Sequence, residues 1–147
     1  MTMSCEFRTL VPLSVSASLL RRLVSRVFTA VRLNPRTTNV ALAFVGDARM
    51  KFLNRRYRRQ NRTTDVLSFS GMGSELGDIV ISVPQAKRQA QRFGTTLLDE
   101  ISLLIVHGLL HLTGYDHRTR AERIRMQRKE RRILYGSSLI HRQSTSQ

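Results

Sequence analysis

Cysteine, proline and acidic side chains are all scarce in this chain, and tryptophan is absent: one Cys, three Pro and ten Asp plus Glu in 147 residues. A lone cysteine, Cys5, excludes any internal disulfide. That is compatible with a reducing compartment without requiring one. Cys5 reads as a small buried hydrophobe near a first strand rather than as a nucleophile. No apolar run approaches the ~20 residues that a bilayer-spanning helix needs, so no membrane partner is expected. No repeat or low-complexity linker divides the chain. One domain over 1–136 and a short polar tail over 137–147 are expected, and a domain of this length can bury roughly 68–70% of its unfolded surface unaided.

The scarcity of acids leaves a large charge excess. Lys plus Arg total 25, of which 22 are Arg, and the net charge is +15. Such an excess favours polyanions, with nucleic acid ahead of a membrane surface. The planar guanidinium fork suits bidentate phosphate contacts, although codon bias also raises Arg over Lys. The sign of the charge therefore weighs more than the Arg:Lys ratio.

Periodicity predicts a mixed α/β (α+β) fold, a small, roughly four-stranded mixed sheet packed with about five helices. A strand is expected over Cys5–Val11, stopped by Pro12. An amphipathic helix follows over about Ser14–Val31, with Val15, Leu19, Leu23, Val27 and Val31 recurring every fourth residue. Leu10 to Leu20 also resembles a short signal-peptide core, and the Arg/Ser-rich, acid-poor start matches an organellar transit peptide. The folded reading takes precedence because the same segment makes sense as an amphipathic helix. A buried strand is expected over Asn39–Val45. Asp47 is placed as the cap of the next helix, with Met50, Leu53 and Tyr57 on its inner face.

An Arg-rich loop then leads into a strand over Val66–Phe69, and glycines 71, 73 and 77 mark a turn before a strand over Asp78–Val83. Pro84 opens a helix that Gly94 stops. Thr96 with Asp99 resembles a capping box for a helix over Leu97–Leu112. That helix is apolar nearly all round, hence central and buried. A last basic helix is expected over about Thr119–Tyr135.

The central helix carries His107 and His111. Four residues amount to one turn plus about 40°, so both imidazoles leave one face. Zinc bonds to imidazole nitrogen at ~2.0–2.1 Å, and that spacing suits two ligands on one ion. Gly114 can end the helix with a positive φ and bring His117 back toward the pair. Three imidazoles plus solvent make an open, catalytic type of site, with one Zn2+ per chain expected. The alternative is three histidines satisfied by ordinary hydrogen bonds. Two imidazoles on a greasy helix favour the metal, because unpaired buried polar groups are costly. His141 lies in the polar tail and is expected to be solvated.

The spacing echoes metzincin peptidases, but Gly108 stands where those enzymes carry a glutamate general base. Without that carboxylate the peptidase route lacks its proton carrier.

At His107-Gly-Leu-Leu-His111-Leu-Thr-Gly114-Tyr115-Asp116-His117 the chain resembles the YbeY-type bacterial endoribonucleases, 16S ribosomal RNA maturation factors. Supporting segments are Leu53-Asn54 with Tyr57-Arg58, Thr64-Asp65-Val66-Leu67-Ser68-Phe69, Leu76-Gly77-Asp78-Ile79, and Met126 with Glu130 and Ile133-Leu134. The resemblance spans roughly 50–135. Ser70 departs from the family's usual proline, and Arg118 from a common acidic residue, which makes the site rim more positive.

The resemblance implies a single-strand-specific, metal-dependent endoribonuclease in 16S rRNA 3′-end maturation and ribosome quality control, in a bacterial cytoplasm. It implies ribosomal RNA and small-subunit ribosomal proteins as partners. Arg58 falls on the family's functional arginine, expected to bind the scissile phosphate and stabilise its transition-state charge. Arg58 and His107 are therefore the expected catalytic residues, and His107, His111 and His117 the metal ligands. The residues agree on two counts: a metal on three histidines can lower the pKa of its water to near 7 and polarise a phosphoryl oxygen, and the surrounding charge can hold a phosphate backbone.

Seven basic residues and no acid lie between Asp47 and Asp65, and eight between Arg118 and Arg132 inclusive against Glu122 and Glu130. Most of these read individually as a solvated face. Asp116 reads equally as a group orienting a ligand imidazole or as a turn residue beside Gly114. Asp65 and Asp78 read as caps, orienting groups or salt-bridge partners. Tyr57 and Tyr115 could stack on bases, with core packing preferred for Tyr57. Two competing functions are a non-catalytic RNA-binding assembly factor with a structural zinc and a metal hydrolase of another substrate, the latter opposed by Gly108.

Overall fold

The computed structural model describes residues 4–59 and 64–136. Arg62, His141 and the tail over 137–147 lie outside the described residues. Four strands and five helices run in the order β1 (Ser4–Thr9), α1 (Ala17–Ala30), β2 (Asn39–Val45), α2 (Asp47–Arg58), β3 (Val66–Ser70), β4 (Glu75–Ser82), α3 (Val83–Phe93), α4 (Leu97–Leu112) and α5 (Arg120–Tyr135).

The sheet order is β1-β2-β4-β3. β1 and β4 each run parallel to β2, and β3 pairs antiparallel with β4, Ser68 opposite Ile79. The parallel crossovers are helical, as parallel connections require. Alternation along the strands sends Val40, Leu42, Phe44, Ile79 and Ile81 into the larger core, shared with α1, α4 and α5. Val45, Leu67 and Val80 fill a smaller core under Met50 of α2. The sheet thus separates α2 from α4.

α4 is the centre of the molecule, packed against β3, β4, α1, α3 and α5. The predicted capping box holds it at the start: Thr96 Oγ1 accepts from the Asp99 N–H at 3.1 Å, and an Asp99 carboxylate oxygen accepts from the Thr96 N–H at 3.0 Å. Pro84 lies in the first turn of α3 and Gly94 ends it at φ +66°. No single described helix is long and apolar enough to cross a membrane. α3 and α4 pass such a test only as a pair bent by 116°.

Three local expectations are corrected. α1 begins after Ser16, which caps it, and its buried face is Leu20, Leu23, Val24, Val27 and Phe28. Leu19 is 43% exposed. A strict four-residue repeat advances about 40° per step and walks off any one face, whereas alternating three- and four-residue steps stay on it. Asp47 is the first residue of α2 rather than its cap, which is Gly46. Its carboxylate instead accepts from Arg88 at 2.8 and 2.9 Å and from Ser82 Oγ at 3.3 Å. Tyr57 is 58% exposed and meets Phe69 edge-on, centroids 5.3 Å apart, so it is not a core residue.

Candidate metal centre

His107 and His111 leave the same face of α4 near its C-terminus, with ring centroids 4.8 Å apart. Helix and turn then do the remaining work. Thr113 Oγ1 donates to the Leu109 and Leu110 carbonyls at 3.1 and 3.0 Å, and Tyr115 N–H reaches back to the Leu110 carbonyl at 3.0 Å. Gly114 takes φ +103°, in the region that favours glycine, and reverses the chain there. His117 returns to lie 4.9 Å from His111 and 5.9 Å from His107, centroid to centroid.

One nitrogen from each of the three rings lies within 4.8 Å of the other two. Nitrogens bound tetrahedrally to one ion at ~2.0–2.1 Å stand about 3.4 Å apart, so small ring rotations close this set around a common point. His107 and His111 are half-buried and His117 is exposed, which opens the point to solvent on one side.

The protonation pattern also fits a metal. Glu130 of α5, 8% exposed, places Oε1 2.7 Å from His107 Nδ1. The carboxylate accepts, so Nδ1 carries the hydrogen and Nε2 presents a lone pair. Burial, and then the neighbouring His107 and His117, push the His111 pKa below its usual 6.5. That favours the neutral imidazole a metal needs. The donor set therefore fits a divalent ion.

Gly108, between the two helical ligands, faces the sheet. A Cβ there would lie 3.0 Å from Ser68 Oγ and 3.1 Å from two carbons of Ile79. Position 108 is thus where α4 touches β3 and β4, and it has no room for a carboxylate. Arg58, exposed at the end of α2, donates Nη2–H to the Ser68 carbonyl at 2.7 Å and lies 5.5 Å from the Phe69 ring centroid. Three of the four expected site residues come together as a cluster. The fourth attaches to the edge strand that backs the cluster's helix.

Asp116 does the work of a turn. It accepts from the His117 N–H at 2.7 Å and pairs with Arg118 at 3.1 Å, and its charge only partly offsets the downward push on His111. The group that orients an imidazole is Glu130, to which the sequence reading gave no role. Its signal was available: Met126, Glu130 and Ile133 share the buried face of α5, and an acid on an apolar face needs a partner. Asp65 accepts from Gln89 Nε2 at 3.1 Å, and Asp78 is exposed on β4. Tyr115 is half-buried beneath the Arg125 guanidinium, 5.1 Å from its ring centroid.

Against known proteins, a family model described as Endoribonuclease YbeY matches residues 8–137. A Geobacillus sp. (strain WCH70) protein named endoribonuclease YbeY is 40% identical over 114 residues, 68% of this chain and 73% of its own. One of the same name from Pelotomaculum thermopropionicum is 47% identical over 105 residues, 65% of this chain and 69% of its own. The solution structure of TM1509 from Thermotoga maritima aligns with a TM-score of 0.57 at 27% identity, over 86% of this chain and 88% of that one.

Proposed function

The chain belongs to the YbeY endoribonuclease family, and on that premise we propose that its three-histidine cluster is the catalytic centre, holding one zinc ion per chain. The protein is an endoribonuclease of ribosomal RNA processing. The finer reading is a single-strand-specific enzyme acting at the 3′ end of 16S rRNA in a bacterial cytoplasm, with rRNA and small-subunit proteins as partners. Relatives from bacteria and the absence of any membrane-spanning single helix among the described residues support that location.

The observation that carries the proposal is the convergence of three imidazole nitrogens within 4.8 Å at a solvent-open helix end. A divalent ion bound there supplies Lewis acidity toward a phosphodiester. Each residue of the chain has a separate task. His107, His111 and His117 hold the ion. Glu130 keeps the hydrogen on His107 Nδ1, which fixes ring orientation. Gly108 lets α4 lie against the sheet so that the ligands sit at a fixed height over β3. Arg58, held by the Ser68 carbonyl, offers its remaining N–H groups to a phosphate and stabilises charge that develops on it.

Two measurements test this. Chelation with EDTA should abolish cleavage of single-stranded RNA while circular dichroism and RNA binding persist, and added zinc should restore it. Loss of the fold together with cleavage would instead favour an RNA-binding assembly factor with a structural metal. Arg58→Ala should lower turnover by about 10²- to 10³-fold, the usual effect of removing one charge-stabilising donor. Unchanged turnover would remove Arg58 from the mechanism.

A further inference from the structure

The outer face of α5 bears a charge pattern that neither the helix nor the metal centre explains. At about 100° per residue, Arg120, Arg125, Arg128, Arg131 and Arg132 fall within roughly 140° of arc. That arc lies opposite the buried Met126, Glu130 and Ile133, and all five arginines are exposed. The acids of this helix, Glu122 and Glu130, lie outside it. Among the described residues none of the five makes an ion pair.

Helix stability does not account for the row. Arg120 occupies the first helical position, the positive end of the dipole, where a cation is unfavourable. Arg128 has Arg125, Arg131 and Arg132 at three- and four-residue spacing, so like charges repel along the exposed face. In sequence the row begins close to the metal centre: Arg120 lies three residues beyond His117, while Glu130 on the opposite face holds His107. From Arg120 to Arg131 it runs about 17 Å at 1.5 Å per residue.

The chemistry of the row distinguishes its ligand from the strand that is cleaved. Proteins that grip single strands interleave basic groups with aromatic rings on which bases stack. α2 has that composition: Phe52 is 45% exposed among Arg49, Arg55 and Arg56, and Tyr57 is 58% exposed. The arginine arc of α5 has no exposed aromatic side chain: Tyr135, in the same sector, and Tyr115, beneath Arg125, are both half-buried. Guanidinium groups set along a rod with no exposed ring among them match the phosphates of a base-paired segment whose bases are not available.

We infer that the outer face of α5 is a phosphate-binding track for double-stranded RNA flanking the single strand presented to the metal centre. The inference rests on the endoribonuclease reading for its biological sense, but its test does not require cleavage. Full-length, zinc-loaded protein and its Arg120→Gln/Arg128→Gln/Arg131→Gln variant are titrated by fluorescence anisotropy across salt concentrations. One probe is an RNA hairpin carrying a single-stranded extension and the other is the extension alone.

The hairpin should bind the variant more weakly, with a salt slope shallower by about 2.7, at about 0.9 per lost phosphate contact. Binding and cleavage of the extension alone should stay within about twofold of wild type. A control variant, Arg36→Gln/Lys87→Gln/Arg92→Gln, removes the same charge from other exposed positions and should leave the hairpin slope unchanged. Equal losses on both probes, equal losses in the control, or an unchanged hairpin slope would overturn the inference. So would loss of binding to phosphatidylserine vesicles with hairpin binding intact. If wild type cleaves neither RNA, the catalytic proposal fails while the slope comparison still decides this one.

Discussion

Replacing Glu130 by glutamine removes one charge and almost no volume from behind the metal centre. The native contact is short, 2.7 Å, and its carboxylate is 8% exposed. Such a charge-assisted bond contributes roughly 1.5–3 kcal/mol, against about 0.5–1.5 for a neutral one. The substitution therefore removes about 1–2 kcal/mol of support for the metal-binding tautomer. That corresponds to a roughly 5- to 30-fold loss in zinc affinity, overlapping the roughly 10- to 100-fold usual for partners of ligand histidines. Glu130→Ala should lose more, because His107 Nδ1 then has no acceptor. Competition against a chromophoric zinc chelator at neutral pH measures the constant, and circular dichroism checks that α5 still packs. Affinity within twofold of wild type in both variants, with the fold intact, would refute the argument that Glu130 sets the tautomer.

Gly108→Ala should miss the gain of about 1 kcal/mol that alanine usually brings to a helix interior, because the new methyl presses on Ser68 Oγ at 3.0 Å and Ile79 at 3.1 Å. A urea midpoint raised by that full gain would mean that α4 does not approach the sheet this closely. The depressed His111 pKa makes a signed prediction for metal-free protein. Below pH 6.5 the unfolded chain takes up a proton on His111 that the folded one, with its lower pKa, resists. Stability is therefore intact above that value and falls as pH drops from 6.5 toward the folded pKa. Urea midpoints at about pH 7.5 and 5.5 should differ less in His111→Gln than in wild type, and an equal difference would contradict the assignment.

What could be read from the sequence follows the range of the interactions involved. The ends of α3 and α4 were legible because Gly94, Thr96 and Asp99 act within one turn of themselves. The three histidines were legible because a helix and a glycine bend bring them together over eleven residues of chain. Glu130 is matched in the closing helix but takes no role from the sequence, because its partner His107 lies 23 residues away and the meeting depends on how α5 packs on α4. Sequence nearness favoured Asp116, which turned out to serve the bend itself. The phase of α1 was misjudged by counting only four-residue steps. Tyr57 shares the face of Met50 and Leu53, but it lies in the last turn of α2, where it meets Phe69 of the edge strand β3 and stays exposed.

The mechanism stands on one ion held among His107, His111 and His117. Elemental analysis of zinc-equilibrated, gel-filtered protein, set beside the His111→Ala variant, checks for it without RNA. One zinc should remain per wild-type chain and none on the variant. A wild-type chain that retains no metal, or a variant that retains as much, would contradict it.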